Sequence, residues 1–151
     1  MEIMMQRIFR IRILALSLVV GLAAGMPLPA HTEEPTGSAV VVMYHRFGES
    51  VHPSTNIRLE QFEAHLAELA KPEYTVLPIP EIVARLKAKQ PLPDRTVGIS
   101  IDDAYLSVYA EAFPRLRKAG FPFTLFVATD PVDRGLGGYM NWDQIRELKK
   151  A

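Results

Sequence analysis

The chain has 151 residues, the size of a single domain. Hydrophobic residues make up 48% and charged ones 23%, which excludes a disordered chain; 17 basic residues balance 17 acidic ones, which excludes a nucleic-acid binder that relies on bulk basicity. With no cysteine, a disulfide scaffold, a thiolate metal site and a cysteine nucleophile are excluded as well.

The balance of charge hides an asymmetry. Residues 1–30 carry Arg7, Arg10 and Arg12 against the single acid Glu2, and an uncharged apolar run from Ile13 to Gly25 follows. Basic start, short apolar stretch and then Met26-Pro27-Leu28-Pro29-Ala30 predict a secretory signal peptide over 1–30, cleaved after Ala30. The run is shorter than the ~20 residues that span a bilayer, so no stable membrane span is expected after cleavage. The competing reading is a buried N-terminal helix. Export places the mature chain in the periplasm or outside the cell.

Residues 31–38 (HTEEPTGS) read as a polar linker. Ala39 to Tyr44 (AVVVMY) is a continuous apolar, β-branched run that predicts a strand covered on both faces, ending at His45. A loop is expected to about Asn56. Leu59, Phe62, Leu66 and Leu69 then recur at helical spacing up to Pro72. A short strand is predicted at Tyr74 to Leu77, and a helix with Pro80 in its first turn and Ile82, Val83 and Leu86 on one face. Val97 to Ile101 (VGISI) predicts a second buried strand, followed at once by Asp102-Asp103. Leu106, Tyr109, Phe113 and Leu116 predict a helix kinked at Pro114 and closed by Gly120. Phe123 to Ala128 (FTLFVA) predicts a third strand, residues 130–140 a Gly-rich loop, and Asn141 with Gln144 a capping box for a last helix. Strands alternating with helices imply βαβ units, a parallel sheet and an α/β fold. The mature length supplies only part of a closed barrel.

In such folds functional groups collect beyond the carboxyl ends of the strands, where loops converge on one crevice. Asp102-Asp103 stands at such an end. Adjacent carboxylates can divide labour, one binding a divalent cation and the other accepting a proton from water. They can also be a solvated turn that caps the next helix.

The stretch TVGISIDDAYLSVYAEAFPRLRKAGFPFTLFVA, 96–128, resembles the first motif region of polysaccharide deacetylases, the NodB-homology domain or carbohydrate esterase family 4. The family form is T-F-D-D-G at a strand end, a helix ending in Gly, and an apolar strand. Here it reads Ser100-Ile101-Asp102-Asp103-Ala104, with Ala104 where the family has Gly, so the turn is expected to avoid the positive φ that Gly alone tolerates cheaply. The resemblance implies a partial distorted (β/α) barrel over 39–151, the front part of the catalytic domain. It implies Asp102 as the general base and Asp103 as a ligand of a divalent metal, zinc being usual. The family's further ligands come from an H-S/T-x-x-H motif, which this chain lacks; His31, His45, His52 and His65 all precede the Asp pair. The Tyr44-His45 pair is similar to the opening of permuted poly-N-acetylglucosamine-type deacetylases, which implies His45 as the acid that protonates the leaving amine. Where those relatives often have Asp after the His, this chain has Arg46. The residue-level alternative is a His that only hydrogen-bonds at a strand end.

Other features point to less. His65 is expected to be solvated, His52-Pro53 to be a turn, and Tyr105 and Tyr109 to pack. Trp142 at a helix start is expected in the core, and with Tyr139 and Met140 it is also a candidate to stack on a sugar. The glycines 135, 137 and 138 form no phosphate cradle, and Ser100 lacks a nucleophile elbow. The expected activity is metal-dependent hydrolysis of the N-acetyl amide in N-acetylglucosamine-containing poly- or oligosaccharides, with no nucleic-acid partner. The alternatives are a non-catalytic carbohydrate-binding or pseudoenzyme fragment, and a related amidase on the same scaffold.

Overall fold

A computed structural model describes residues 37–150. The predicted signal peptide and most of the linker lie outside the described residues. The central strand is β5 (Thr96–Asp102), buried along its length until Asp102. A strand covered on both faces needs apolar residues at every position rather than at alternate ones, which is why VGISI is continuous. Strand β1 (Ala39–Tyr44) runs parallel along one edge of it, with Ala39 opposite Thr96 and Tyr44 opposite Ile101. Along the other edge, β4 (Thr75–Val76) pairs with its start and β6 (Thr124–Phe126) with its end, both parallel. A separate short parallel pair, β2 (Arg46–Phe47) and β3 (Asn56–Ile57), folds within the segment expected to be loop.

Helices α1 (Leu59–Leu69) and α3 (Phe113–Ala119) cover one face of the sheet. Ile99 and Ile101 there join Phe62 and Leu66 of α1 and Leu116 of α3 in the main core, with Tyr44 and Phe47 against Phe62 at ring separations of 5.4 and 4.7 Å. Burying each of these large side chains contributes about 1.5–3 kcal/mol. Helix α2 (Ile79–Lys87) lies over the opposite face, at Gly98. A Cβ there would sit 2.9 Å from Ile79 Cγ1, so glycine is what lets the helix approach the strand. Ile82 alone of the predicted apolar face is buried; Val83 and Leu86 are exposed.

Several expectations need correction. β1 is not covered on both faces: Val40, Val41 and Met43 are 65%, 49% and 60% exposed, because among the described residues β1 pairs on one edge only. The helix after the Asp pair is not simply kinked at Pro114. It widens into a π-helical turn, Val108–Ala112, just before that proline, where the missing N–H relaxes the α-helical ladder. The start of the supposed 130–140 loop is a short helix, α4 (Thr129–Asp133). Trp142 opens α5 (Trp142–Lys150) at the surface, its indole N–H donating to Asp133 at 2.8 Å. The capping box does form: Asn141 N–H to Gln144 Oε1 and Gln144 N–H to Asn141 Oδ1, both 2.9 Å. Gly120 ends α3 in the left-handed region, at φ 70°. No helix among the described residues is long and apolar enough to cross a membrane.

Candidate functional site

The register of β1 on β5 brings the predicted residues to one end of the sheet. Tyr44 pairs with Ile101, so His45 and Asp102 are each the next residue, on neighbouring strands about 4.8 Å apart. On the other side Asp102 pairs with Phe126 of β6, and the Asp103 N–H donates to the Phe126 carbonyl at 2.8 Å. Asp102, Asp103 and His45 are all partly buried. Residues in register share a face, so Met43, Ser100 and Phe126 line the same side as Asp102. Of these Met43 and Phe126 are exposed while Ser100 is buried.

The turn after β5 overturns the expectation for Ala104. Asp103 and Ala104 both lie at positive φ, 72° and 60°. Left-handed backbone costs a residue with a Cβ about 1–2 kcal/mol, so the surroundings must hold it. They do: Met140 N–H donates to the Ala104 carbonyl at 2.9 Å, Gly138 accepts from Leu106 N–H at 2.8 Å, and Tyr105 bridges to Tyr139. Ala104 is itself fully buried. The segment 138–140 thus clamps the aspartate turn from outside.

A polar network that periodicity alone does not reveal reaches the aspartate turn through Tyr105. Arg46 Nη1 donates to Glu49 Oε2 at 2.8 Å, and Ser107 Oγ donates to Glu49 Oε1 at 2.7 Å. Ser107 Oγ accepts from Phe47 N–H at 3.2 Å, and Glu49 and Asn56 exchange hydrogen bonds at 2.9 Å. The Arg46 guanidinium carbon lies 3.4 Å from the centre of the Tyr105 ring, whose other neighbour is the Tyr139 ring at 4.8 Å. Burial opposes the guanidinium's charge, and the bonds to Glu49 and Tyr105 outweigh it, holding its pKa above the ordinary arginine value. Burial first, then the hydrogen bond with Tyr139 and the Asp103 carboxylate, push the Tyr105 phenol up, while Arg46 pulls it down. Tyr105 therefore packs against the core as expected and at the same time stands at the edge of the aspartate turn. The one available signal was its place two residues beyond the Asp pair.

His65 is exposed as expected but has a partner, the Tyr44 hydroxyl at 2.9 Å. His52 occupies a left-handed turn away from any carboxylate cluster. Among the described residues no group of three His, Cys, Asp or Glu stands close enough to hold a metal ion. A catalytic zinc takes about three protein ligands and an open position, so the described donors fall short of that set.

Residues 89–151 match the family model described as polysaccharide deacetylase. Over 119 residues the chain is 28% identical to YxkH of Bacillus subtilis (strain 168), whose name places it among polysaccharide deacetylases; the match covers 78% of this chain and 40% of that protein. The solved structure of IcaB from Ammonifex degensii superposes with a TM-score of 0.68 at 32% identity, covering 76% of this chain and 49% of that one. A de-N-acetylase from Aggregatibacter actinomycetemcomitans shares the fold, with a TM-score of 0.66 at 21% identity, over 74% of this chain and 50% of that one. The chain therefore spans half or less of the length of these relatives.

Proposed function

We propose that this chain, similar over residues 89–151 to the polysaccharide deacetylase family and in fold to IcaB, is part of an exported enzyme of the NodB-homology type that removes acetyl groups from N-acetylglucosamine units of a poly- or oligosaccharide. The observation that carries this reading is the juxtaposition of His45 and Asp102 at the carboxyl ends of adjacent parallel strands. Asp102 takes a proton from the attacking water as its oxygen bonds to the amide carbon. His45 gives a proton to the amine nitrogen as the carbon–nitrogen bond breaks, leaving acetate and a free amine. An imidazole suits that second role because its ring nitrogen can carry a proton and hand it to the departing nitrogen.

Asp103 is assigned one carboxylate of a divalent-cation site, zinc by the habit the family resemblance implies. The described residues supply no complete donor set, so the proton steps are assigned to Asp102 and His45 alone. The second reading is a carbohydrate-binding protein without turnover. The two are separated by incubating the full-length protein with N-acetylglucosamine oligomers and measuring acetate and free amine. Equimolar release of both supports the deacetylase; oligomer binding with no release favours the binding protein.

A further inference from the structure

We propose that Arg46 is a positioning residue, which ties the segment carrying His45 to the turn carrying Asp102 and Asp103. The inference rests on the deacetylase reading of this site and assigns a role to a residue that reading leaves idle. Arg46 follows His45 directly, while Tyr105 lies two residues beyond Asp103. Stacking the guanidinium 3.4 Å over the Tyr105 ring joins the two strand ends through side chains, since the backbone pairing of β1 with β5 stops at Tyr44 and Ile101. Glu49 completes the tie from the same segment by accepting from both Arg46 and Ser107. Tyr105, held between Arg46 and Tyr139, is also the residue that follows the strained pair Asp103 and Ala104. Fixing its ring limits how that turn can relax.

Stability alone gives a weak reason for an arginine here. The Arg46–Glu49 pair is largely out of water, with side chains 15% and 23% exposed, and Arg46 Nε is buried with no hydrogen-bond partner among the described residues. A buried ion pair with an unmet donor can be replaced by apolar groups at little or no cost in stability. What an apolar or lysine replacement loses is the planar cation stacked on an aromatic face. The arginine is thus better explained by the placement it enforces than by the stability it adds.

The test compares wild type, Arg46→Lys and the double variant Arg46→Met/Glu49→Gln, which leaves no orphan carboxylate, all in the full-length protein. Misplacement by about 1 Å can cost ~100-fold in rate. The expected result is a kcat for acetate release lowered about 10- to 100-fold in both variants, with KM within about twofold and an unchanged Tm. Unchanged kcat, or a loss of kcat that follows a loss of Tm, would overturn the positioning role. If wild type itself releases no acetate, the deacetylase reading falls and the tie is judged by NMR instead. Amide shifts at 44–45 and 103–105 that move together in the double variant support it; shifts confined to 46–49 overturn it.

Discussion

The hydroxyl of Tyr44 and Nδ1 of His65 lie 2.9 Å apart, joining the last residue of β1 to the exposed face of α1. Burial pushes the Tyr44 phenol up from its ordinary value of 10.0, and the His65 tautomer sets which partner donates in this bond. Because the folded-state pKa is raised, its contribution to stability is fully present below pH 10 and is lost as the pH rises through the folded value. Tyr44→Phe should cost about 0.5–1.5 kcal/mol at neutral pH and make the alkaline limb of stability shallower. Urea unfolding at neutral and alkaline pH measures both; an alkaline limb as steep as wild type would remove Tyr44 as its source.

Ala104 gives a contrast between two substitutions. Ala104→Gly relieves about 1–2 kcal/mol of left-handed strain but gives up ~0.8 kcal/mol of buried methyl, so stability should change by less than about 1 kcal/mol. Ala104→Val adds a β-branched side chain to a positive φ in a fully buried position and should cost about 2–4 kcal/mol. Equal Tm values for the two variants would contradict this account of the turn.

The two aspartates should separate by phenotype in the full-length protein. Asp102→Asn removes the assigned base and should lower kcat by ~10²–10⁴-fold with bound metal retained. Asp103→Asn replaces an anionic ligand with a neutral amide and should lower metal content itself. Elemental analysis beside kcat on both variants tests the split. Retained metal and near-normal turnover in both would make the pair a helix-capping turn.

Export predicts a mature N-terminus at His31, since residues 1–30 run from basic to apolar to small. Edman sequencing of the protein recovered from the periplasm or medium should begin His-Thr-Glu-Glu. A product that begins at Met1 would count against cleavage.

Much of this arrangement was legible in the sequence, and for identifiable reasons. The continuous run VGISI needed cover on both faces, and β5 has it; the spacing of Leu59, Phe62 and Leu66 named the buried side of α1. Asn141 with Gln144, and Gly120, marked their helix ends because capping is local chemistry. The exposure of β1 was illegible, since AVVVMY reads the same whether a neighbour lies on one edge or two. Of the site, the strand-end positions of His45 and Asp102 could be foreseen. The pairing of Arg46 with Tyr105 could not, because it joins residues far apart in sequence with no shared period. Nor could the left-handed Ala104, which is held by bonds from residues 138–140 rather than by its own preference.

The π-helical turn at Val108–Ala112 makes this helix one residue over-full relative to regular α-helical winding. Upstream of it Ser107 is fastened to Glu49; downstream Phe113 and Leu116 are fastened in buried positions. Deleting one residue inside this turn would remove the surplus and return the segment to regular winding with both attachments kept, whereas a deletion in the regular winding of α3 ahead of Leu116 would turn Leu116 by about 100° relative to Ser107. Spare length is therefore stored at this point: removal of exposed Ala110 should leave the Ser107–Glu49 bond and the burial of Leu116 in place.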